Sequence, residues 1–364
     1  MDLKTFWKGI IPLAVLLVLF SGCIDSPGQG ETVDETVNEG ISDADLPSPE
    51  VSDGEAASQQ PLDETGGAEG GDLESSRDAD EGEGTDLREV RGESSPASDA
   101  GQPAETLRVG AFNIQVFGVS KASDPEVMEV LAEIIRTYDV VAVQEIRDKS
   151  QTALPQLVDA VNSEGAQYSF AVSERLGRTT SKEQYAYVYD STRVRLAEEP
   201  GTYPEPEGTD PFHREPYIAL FELPAEDFSF ALVTVHTDPD EATEEINSLD
   251  DVIAYARERY PEEDDFILMG DLNADGSYFD EDSANSLSGE EYSWLINNSL
   301  DTTTGSTDCT YDRIIATGDA ESHFTGDAGV FRYDLVYNLS SEKTEAVSDH
   351  YPVYAEFLAS GDGV

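Results

Sequence analysis

The chain is 364 residues long and carries 77 acidic residues against 21 basic ones, a formal net charge of −56. That balance excludes a nucleic-acid binder that grips phosphate through a basic face, and equally a polybasic membrane-surface protein. Two cysteines exclude a disulfide-dense scaffold, and with only 38% hydrophobic residues part of the chain cannot build a core.

At the start of the chain, Lys4 and Lys8 precede an apolar run over residues 10–20 that leads into Ser21-Gly22-Cys23. A charged start, a short apolar centre and small residues before a cut form an export signal, and the run is short for a bilayer span. Ser21-Gly22-Cys23 resembles a lipobox, with Phe20 in place of the commoner Leu. Residues 1–23 are therefore expected to be a lipoprotein-type signal peptide, with Cys23 as the lipidated residue. Residues 24–105 hold 24 acidic and three basic residues, a net of −21, and no Phe, Tyr, Trp, His or Cys. Such a segment cannot offset the entropy of ordering its backbone, so a disordered, self-repelling acidic linker is expected.

Residues 106–364 then carry −36. Residues 106–358 suffice for one large core, and 359–364 read as a short tail. Lysine is scarce and acidic residues cover every predicted surface stretch, which reads as adaptation to molar salt. There a Debye length of about 3 Å screens self-repulsion, whereas in dilute buffer the same charge destabilises the compact state. Leader, linker and charge together describe a surface lipoprotein of a halophilic archaeon, anchored by lipid to the outer face of the cytoplasmic membrane, or secreted.

Several apolar runs stop at a residue able to do chemistry. Residues 107–112 alternate and reach Asn113; residues 140–143 reach Gln144-Glu145; residues 228–235 reach His236. Residues 266–269 lead to Gly270-Asp271-Leu272-Asn273, and residues 346–348 to Asp349-His350. Short runs rich in Val, Ile and Phe between turn residues predict strands. After the first of them, Asp124 as N-cap, Pro125 at the first helical position and a stripe of Val127, Val130, Leu131, Ile134 and Tyr138 predict a helix. A second helix is expected over residues 153–161. Strands alternating with helices bring such strand-end residues to one rim of a sheet. Any one of them alone reads as a turn or cap former; five together read as a site. Their oxygens suit Mg²⁺ or Mn²⁺, and two imidazoles beside a metal-bound phosphate suit proton transfer in phosphoester hydrolysis. A zinc cluster and a P-loop are both missing from the sequence.

The stretches Asn113-Ile114-Gln115-Val116-Phe117-Gly118, Val143-Gln144-Glu145-Ile146-Arg147, Met269-Gly270-Asp271-Leu272-Asn273-Ala274-Asp275 and Ser348-Asp349-His350-Tyr351-Pro352-Val353 resemble the endonuclease/exonuclease/phosphatase superfamily, and within it deoxyribonuclease I. Arg214-Glu215-Pro216, Glu245-Ile246-Asn247-Ser248-Leu249 and Cys309-Thr310-Tyr311-Asp312-Arg313 are further similar stretches, in order across the same region. The resemblance implies a four-layer α/β/β/α sandwich. It also implies that Glu145, with Asn113 and Asp349, binds the catalytic dication, while Asp271 and Asn273 position the phosphate and the attacking water. His236 is implied to pair with Glu183 as the base, and His350 with Asp312 as the acid or phosphate stabiliser. Arg147 and Arg214 are implied to face DNA. Asp301, Thr303 and Thr307 match a structural Ca²⁺ loop, with Gly305 replacing a threonine. Asp210, the Phe212 carbonyl and Glu215 match a second Ca²⁺ site. His213 and His323 match no motif and read as surface residues.

Two departures stand out. The disulfide partner of Cys309 in that family is Gly276 here, so Cys309 is expected to be a free thiol. A minor-groove aromatic is Ser181 here. The expected activity is metal-dependent cleavage of extracellular DNA, with no protein partner implied. The alternatives are a phosphoesterase acting on a phospholipid head group or phosphorylated sugar, and an inactive surface binding module.

Overall fold

In the computed structural model, which describes residues 106–359, the first alternating run forms β1 (Thr106–Phe117). The expected signal peptide and acidic linker lie outside the described residues. Along β1 the pleat sends Leu107, Val109 and Ala111 to one side and Phe112 and Ile114 to the other. Both sides are covered, as they are for β2 (Val140–Ile146), where every residue is buried. Then follow β3 (Tyr168–Val172), β4 (Gln184–Asp190), β5 (Arg195–Leu196), β6 (Gly201–Thr202), β7 (Tyr217–Leu223) and β8 (Phe228–His236). The last are β9 (Phe266–Asp271), β10 (Tyr292–Trp294), β11 (Asp312–Thr317), β12 (Phe324–Val330) and β13 (Val353–Leu358).

These strands form a six-stranded sheet, β12-β13-β1-β2-β4-β3, and a seven-stranded sheet, β10-β11-β9-β8-β7-β5, with β6 also on β7. The two sheets face each other across a core that includes Val109, Ala111, Tyr187, Phe230, Leu232 and Met269. The outer face of the first sheet packs on Leu131, Ile135 and Leu157 from helices, and that of the second on Ile246, Val252 and Ile253. The result is the expected four-layer sandwich. Each fully buried Leu, Ile or Phe adds about 1.5–3 kcal/mol, the counterweight to a strongly charged surface.

Two pairings are parallel, β1 with β2 and β8 with β9. A parallel pair needs a crossover, and helices supply it. The first crossover contains Pro125–Ile135, where the Asp124 carboxylate accepts from the Glu126 and Val127 amides at 2.9 and 3.2 Å. Of the predicted stripe Val127, Leu131 and Ile134 are buried and Val130 is partly buried, and Tyr138 is buried just beyond the helix end. The second contains Ala242–Asn247 and Leu249–Arg259. The second predicted helix spans Ala153–Asn162. The carboxyl ends of the two parallel pairs meet at one rim, where Asn113 Nδ2 donates to Asp271 at 2.9 Å across the sandwich.

Two local expectations change. β1 and β2 run on past Asn113 and Gln144 through an irregularity, with Val116 at φ 51° and Glu145 at φ 62°. Such a bulge re-aims a side chain without ending the strand. Residues 346–347 close a helix, Ser341–Val347, capped by Ser340, because an apolar pair is too short to show a period. At Gly270 (φ 146°) a Cβ would stand 2.0 Å from the Val235 carbonyl oxygen, so only glycine lets β9 lie this close to β8 beside the rim. No helix among the described residues is long and apolar enough to cross a membrane.

Candidate active site

Asp271 ends β9, in register with His236 at the end of β8. Its Oδ2 takes the Asn113 hydrogen bond and lies 3.5 Å from His236 Nε2 and 3.6 Å from His350 Nε2. Its Oδ1 accepts from the Asn273 amide at 3.1 Å. Burial pushes this carboxyl up, but the two imidazoles and the hydrogen bonds from Asn113 and Asn273 outweigh it, so the group is held below the ordinary carboxylate range. Asn273 is fixed at φ 47° by its side-chain amide, which donates to the Thr237 carbonyl at 3.0 Å.

Each ring has its own carboxylate. His236 Nδ1 is 3.0 Å from Glu183, which precedes β4 in the opposite sheet. The Tyr185 hydroxyl accepts the His236 backbone N–H at 3.0 Å. Arg147 Nη2 lies 2.9 Å from Glu183 and 3.0 Å from Glu145, and Arg214 Nη1 lies 3.5 Å from Glu183. Burial opposes ionisation of Glu183, yet His236 and the two arginines hold it at about 2. Burial and Arg214 pull His236 down; Glu183 and Asp271 more than reverse this, so its pKa rises.

His350 Nδ1 is 2.7 Å from Asp312, the first residue of β11 and the register partner of Asp271. Burial raises the Asp312 carboxyl despite His350. Burial lowers His350, but Asp312 and Asp271 overcome it and hold the ring well above the usual histidine range. Thr302 Oγ1 supports this side, accepting the Tyr311 and Asp312 amides at 3.1 and 3.3 Å.

The third corner is lined by oxygen. Asn113 Oδ1 is buried with no partner, and its Nδ2 is 3.3 Å from Glu145 Oε1. Glu145 Oε2 accepts the Val116 amide at 2.7 Å, and Asp349 accepts from Gln115 at 2.7 Å. Partial burial, with Glu145 and Asp271 close by, raises the Asp349 carboxyl against the pull of His350. Repelling carboxylates beside an unsatisfied amide oxygen form a donor set that fits a hard dication. Asp271, Asp312 and His350 also bring ligand-type atoms within 4.8 Å of one another. There, however, His350 Nδ1 is already hydrogen-bonded to Asp312, so the oxygen-lined corner is the better place for a cation.

Arg147 keeps about a third of its side chain exposed at this rim. Arg214, expected to meet DNA, lies with its side chain turned inward. It is 6% exposed, and its guanidinium donates to the His236 and Thr237 carbonyls at 2.9 and 3.0 Å. Those carbonyls hold it inward, where it braces Glu183 and His236.

Asp301, Thr303 and Thr307 do converge. Asp301 accepts the Thr303 amide at 2.9 Å, and the Thr303 hydroxyl lies 2.9 Å from that of Thr307. This loop touches the His350 arm directly, Thr303 pairing with His350 and the Thr304 amide donating to the Asp349 carbonyl. At the second expected calcium position, Arg178 binds both the Asp210 carboxylate, at 3.1 Å, and the Asp210 carbonyl, and also pairs with Glu241. The Arg178 guanidinium thus already partners the Asp210 oxygens. Two other expectations fail. Cys309 is disulfide-bonded rather than free, its partner lying outside the described residues. His323 is buried against Phe228, and His213 lies 3.3 Å from Asp238, so neither is a loose surface residue.

Residues that the sequence did not single out also shape the site. Tyr185 and Thr237 fix the His236 side and Thr302 the His350 side, while Gln115 and Lys121 flank the oxygen corner. Lys121 Nζ donates to the Val347 carbonyl, and burial lowers its ammonium to about 8 although Asp349 and Glu145 favour the charge. Only Gln115, two residues beyond Asn113 on an alternating strand, carried a usable signal.

This fold and rim define a class. The Endonuclease/Exonuclease/phosphatase family pattern matches residues 110–350, and the chain belongs to that family. Within it the chain is similar to Deoxyribonuclease-1 of Oryctolagus cuniculus, 37% identical over 263 residues that cover 69% of this chain and 92% of the relative. It is likewise 37% identical to Deoxyribonuclease-1-like 2 of Mus musculus over 261 residues, covering 70% and 92%. A solved endonuclease/exonuclease/phosphatase family protein from Bacteroides thetaiotaomicron is 16% identical, with a TM-score of 0.48, over 70% of this chain and 98% of that one.

Proposed function

We propose that this protein is a divalent-metal-dependent endonuclease that hydrolyses phosphodiester bonds of DNA by in-line attack of water. One observation carries the reading: two imidazoles, each backed at Nδ1 by a buried carboxylate, present Nε2 to the same oxygen of Asp271. His236 Nε2 takes a proton from water as its oxygen bonds to phosphorus. The bond from phosphorus to the leaving oxygen breaks, and His350, kept protonated by Asp312 and Asp271, gives that oxygen a proton. Asp271 and Asn273 orient water and phosphate. Glu145, Asn113 and Asp349 would hold Mg²⁺ or Mn²⁺, which would supply charge neutralisation to the phosphate. Arg147 contacts the phosphate backbone.

The inward turn of Arg214 favours one second reading, a phosphoesterase acting on a phospholipid head group or phosphorylated sugar, since one of the two arginines that argued for DNA is spent inside. The test is the purified protein in high salt with Mg²⁺ or Mn²⁺, offered duplex DNA, single-stranded DNA, RNA, a phospholipid and a sugar phosphate. Plasmid nicking supports the nuclease; release of phosphate or head group without nicking replaces it; inertness toward all of them leaves a binding module.

For its setting the reading is an exported, salt-adapted halophile protein in four parts, residues 1–23, 24–105, 106–358 and the tail 359–364, anchored through lipid on Cys23. A structural Ca²⁺ at Asp301, Thr303 and Thr307 completes it. Cys23 is the only other cysteine in the chain, so lipid on Cys23 and an intrachain bond to Cys309 exclude each other. Mass spectrometry of the mature protein decides: a thioether lipid on Cys23 supports the anchor, and a Cys23–Cys309 cross-link overturns it.

A further inference from the structure

Glu245 lies in the short helix Ala242–Asn247 with 0% exposure. Its Oε1 accepts two backbone amides, that of His213 at 3.1 Å and that of Asp238 at 3.2 Å. His213 immediately precedes Arg214, and Asp238 immediately follows Thr237. The Thr237 carbonyl accepts from both Arg214 Nη2 and Asn273 Nδ2, each at 3.0 Å, while Arg214 Nε donates to the His236 carbonyl at 2.9 Å. One carboxylate oxygen therefore ties together the loop that carries Arg214 and the loop that leaves His236, one residue from the carbonyl on which Arg214 and Asn273 both rest.

The residue type is otherwise hard to justify. Glu245 Oε2 is buried with no hydrogen-bond partner, a costly state that an aliphatic side chain would avoid. Such a side chain would, however, leave the two loop amides unsatisfied. We propose that Glu245 is a positioning residue, which sets the two loops in register so that Arg214 braces the Glu183–His236 pair and Thr237 anchors Asn273 beside Asp271. The inference rests on the catalytic reading of His236 and Asn273 and deepens it. Burial raises the Glu245 carboxyl to about 7, against the two amides and Arg214. Both protonation states keep Oε1 as an acceptor, and buried interactions of this kind are little screened by salt.

Two substitutions test it. Glu245→Gln keeps an amide oxygen for both N–H groups, whereas Glu245→Ala keeps none; Glu245→Leu replaces the alanine variant if that one does not fold. Assayed well below its melting temperature, Glu245→Ala should lose about 10- to 100-fold in kcat with KM nearly unchanged, the scale expected of a misplaced catalytic group. Glu245→Gln should stay within about threefold of wild type, because the acceptor remains. A second readout needs no substrate: the Arg214 Nε–H resonance should be protected from exchange in wild type and Glu245→Gln and lost in the folded acceptor-free variant. Full kcat and a protected resonance in that variant, or a glutamine variant as impaired as the alanine one, overturn the proposal. If the resonance follows expectation while no form hydrolyses any phosphoester, the positioning stands and the hydrolytic reading fails.

Discussion

The two histidine arms meet at one oxygen of Asp271 but are built differently. On the His236 side the partner Glu183 also faces two guanidinium groups, from Arg147 and Arg214, and is held at about 2. On the His350 side Asp312 has the ring and threonine-supported backbone, and burial raises its carboxyl. Burial and Arg214 moderate the pull of Glu183 on His236, whereas burial alone opposes the pull of Asp312 and Asp271 on His350. His236 is raised; His350 is raised far more. The same ring with the same class of partner is thus raised modestly in one setting and far more in the other, which suits the proposed division into base and acid.

The comparison breaks most visibly at His236. His236→Ala should lower plasmid nicking by roughly 10³-fold, within the range of general acid–base catalysis; a variant equal to wild type removes the assignment. Next come the carboxylates. His236 must be neutral to act, so activity falls as pH drops through its raised pKa, and the acid limb should lie above about 6.5. Glu183→Gln removes the anion that raises it, moving the acid limb down and costing about 10-fold or more in kcat. His350 must be protonated to act, so activity is lost as pH rises through its pKa, and Asp312→Asn should instead bring the alkaline limb down. Profiles of kcat/KM against pH for both variants check this; if both move the same limb, the two arms are not distinct.

Smaller effects sharpen the picture. Calcium should stabilise the loop that touches His350 by up to about 2.7 kcal/mol at a hundredfold excess over its Kd. Asp301→Asn should abolish that gain in a thermal melt. The Arg178 cluster should add nothing, so calcium-dependent protection of residues around Asp210 would contradict the reading of Arg178 as a built-in cation. Salt should act least. A typical phosphate-gripping protein loses roughly 10³- to 10⁵-fold in affinity between 50 and 200 mM salt. Here, with Arg214 turned inward and −36 on residues 106–364, nicking should persist or rise toward molar salt, as a plasmid assay over a salt series would show.

The sandwich was readable because alternating apolar runs such as 107–112 and 228–235 report burial directly, and the Asp124-Pro125 start marks its helix without reference to anything distant. The strand-end polar residues were readable as a group for the same reason, since a run that stops being apolar has reached the edge of the core. What lay beyond local pattern was direction. Glu145 at the expected end of β2 is aimed by a bulge. Arg214 matches a motif yet turns inward, because two carbonyls and Glu183 lie behind it. Glu245 stood in plain sight within a motif, but its two amide partners are 32 and 7 residues away.

By itself the sequence determined that apolar strands and helices form layers, that the chain is overwhelmingly acidic, and which side chains stand where apolar runs end, since burial and charge are properties of short stretches. Tertiary structure alone decided how far each carboxylate stands from its ring, which arginine is spent inside and which oxygen is left without a partner. Each of those is a distance between residues far apart in the chain, and the electrostatics of a buried group follow from such distances.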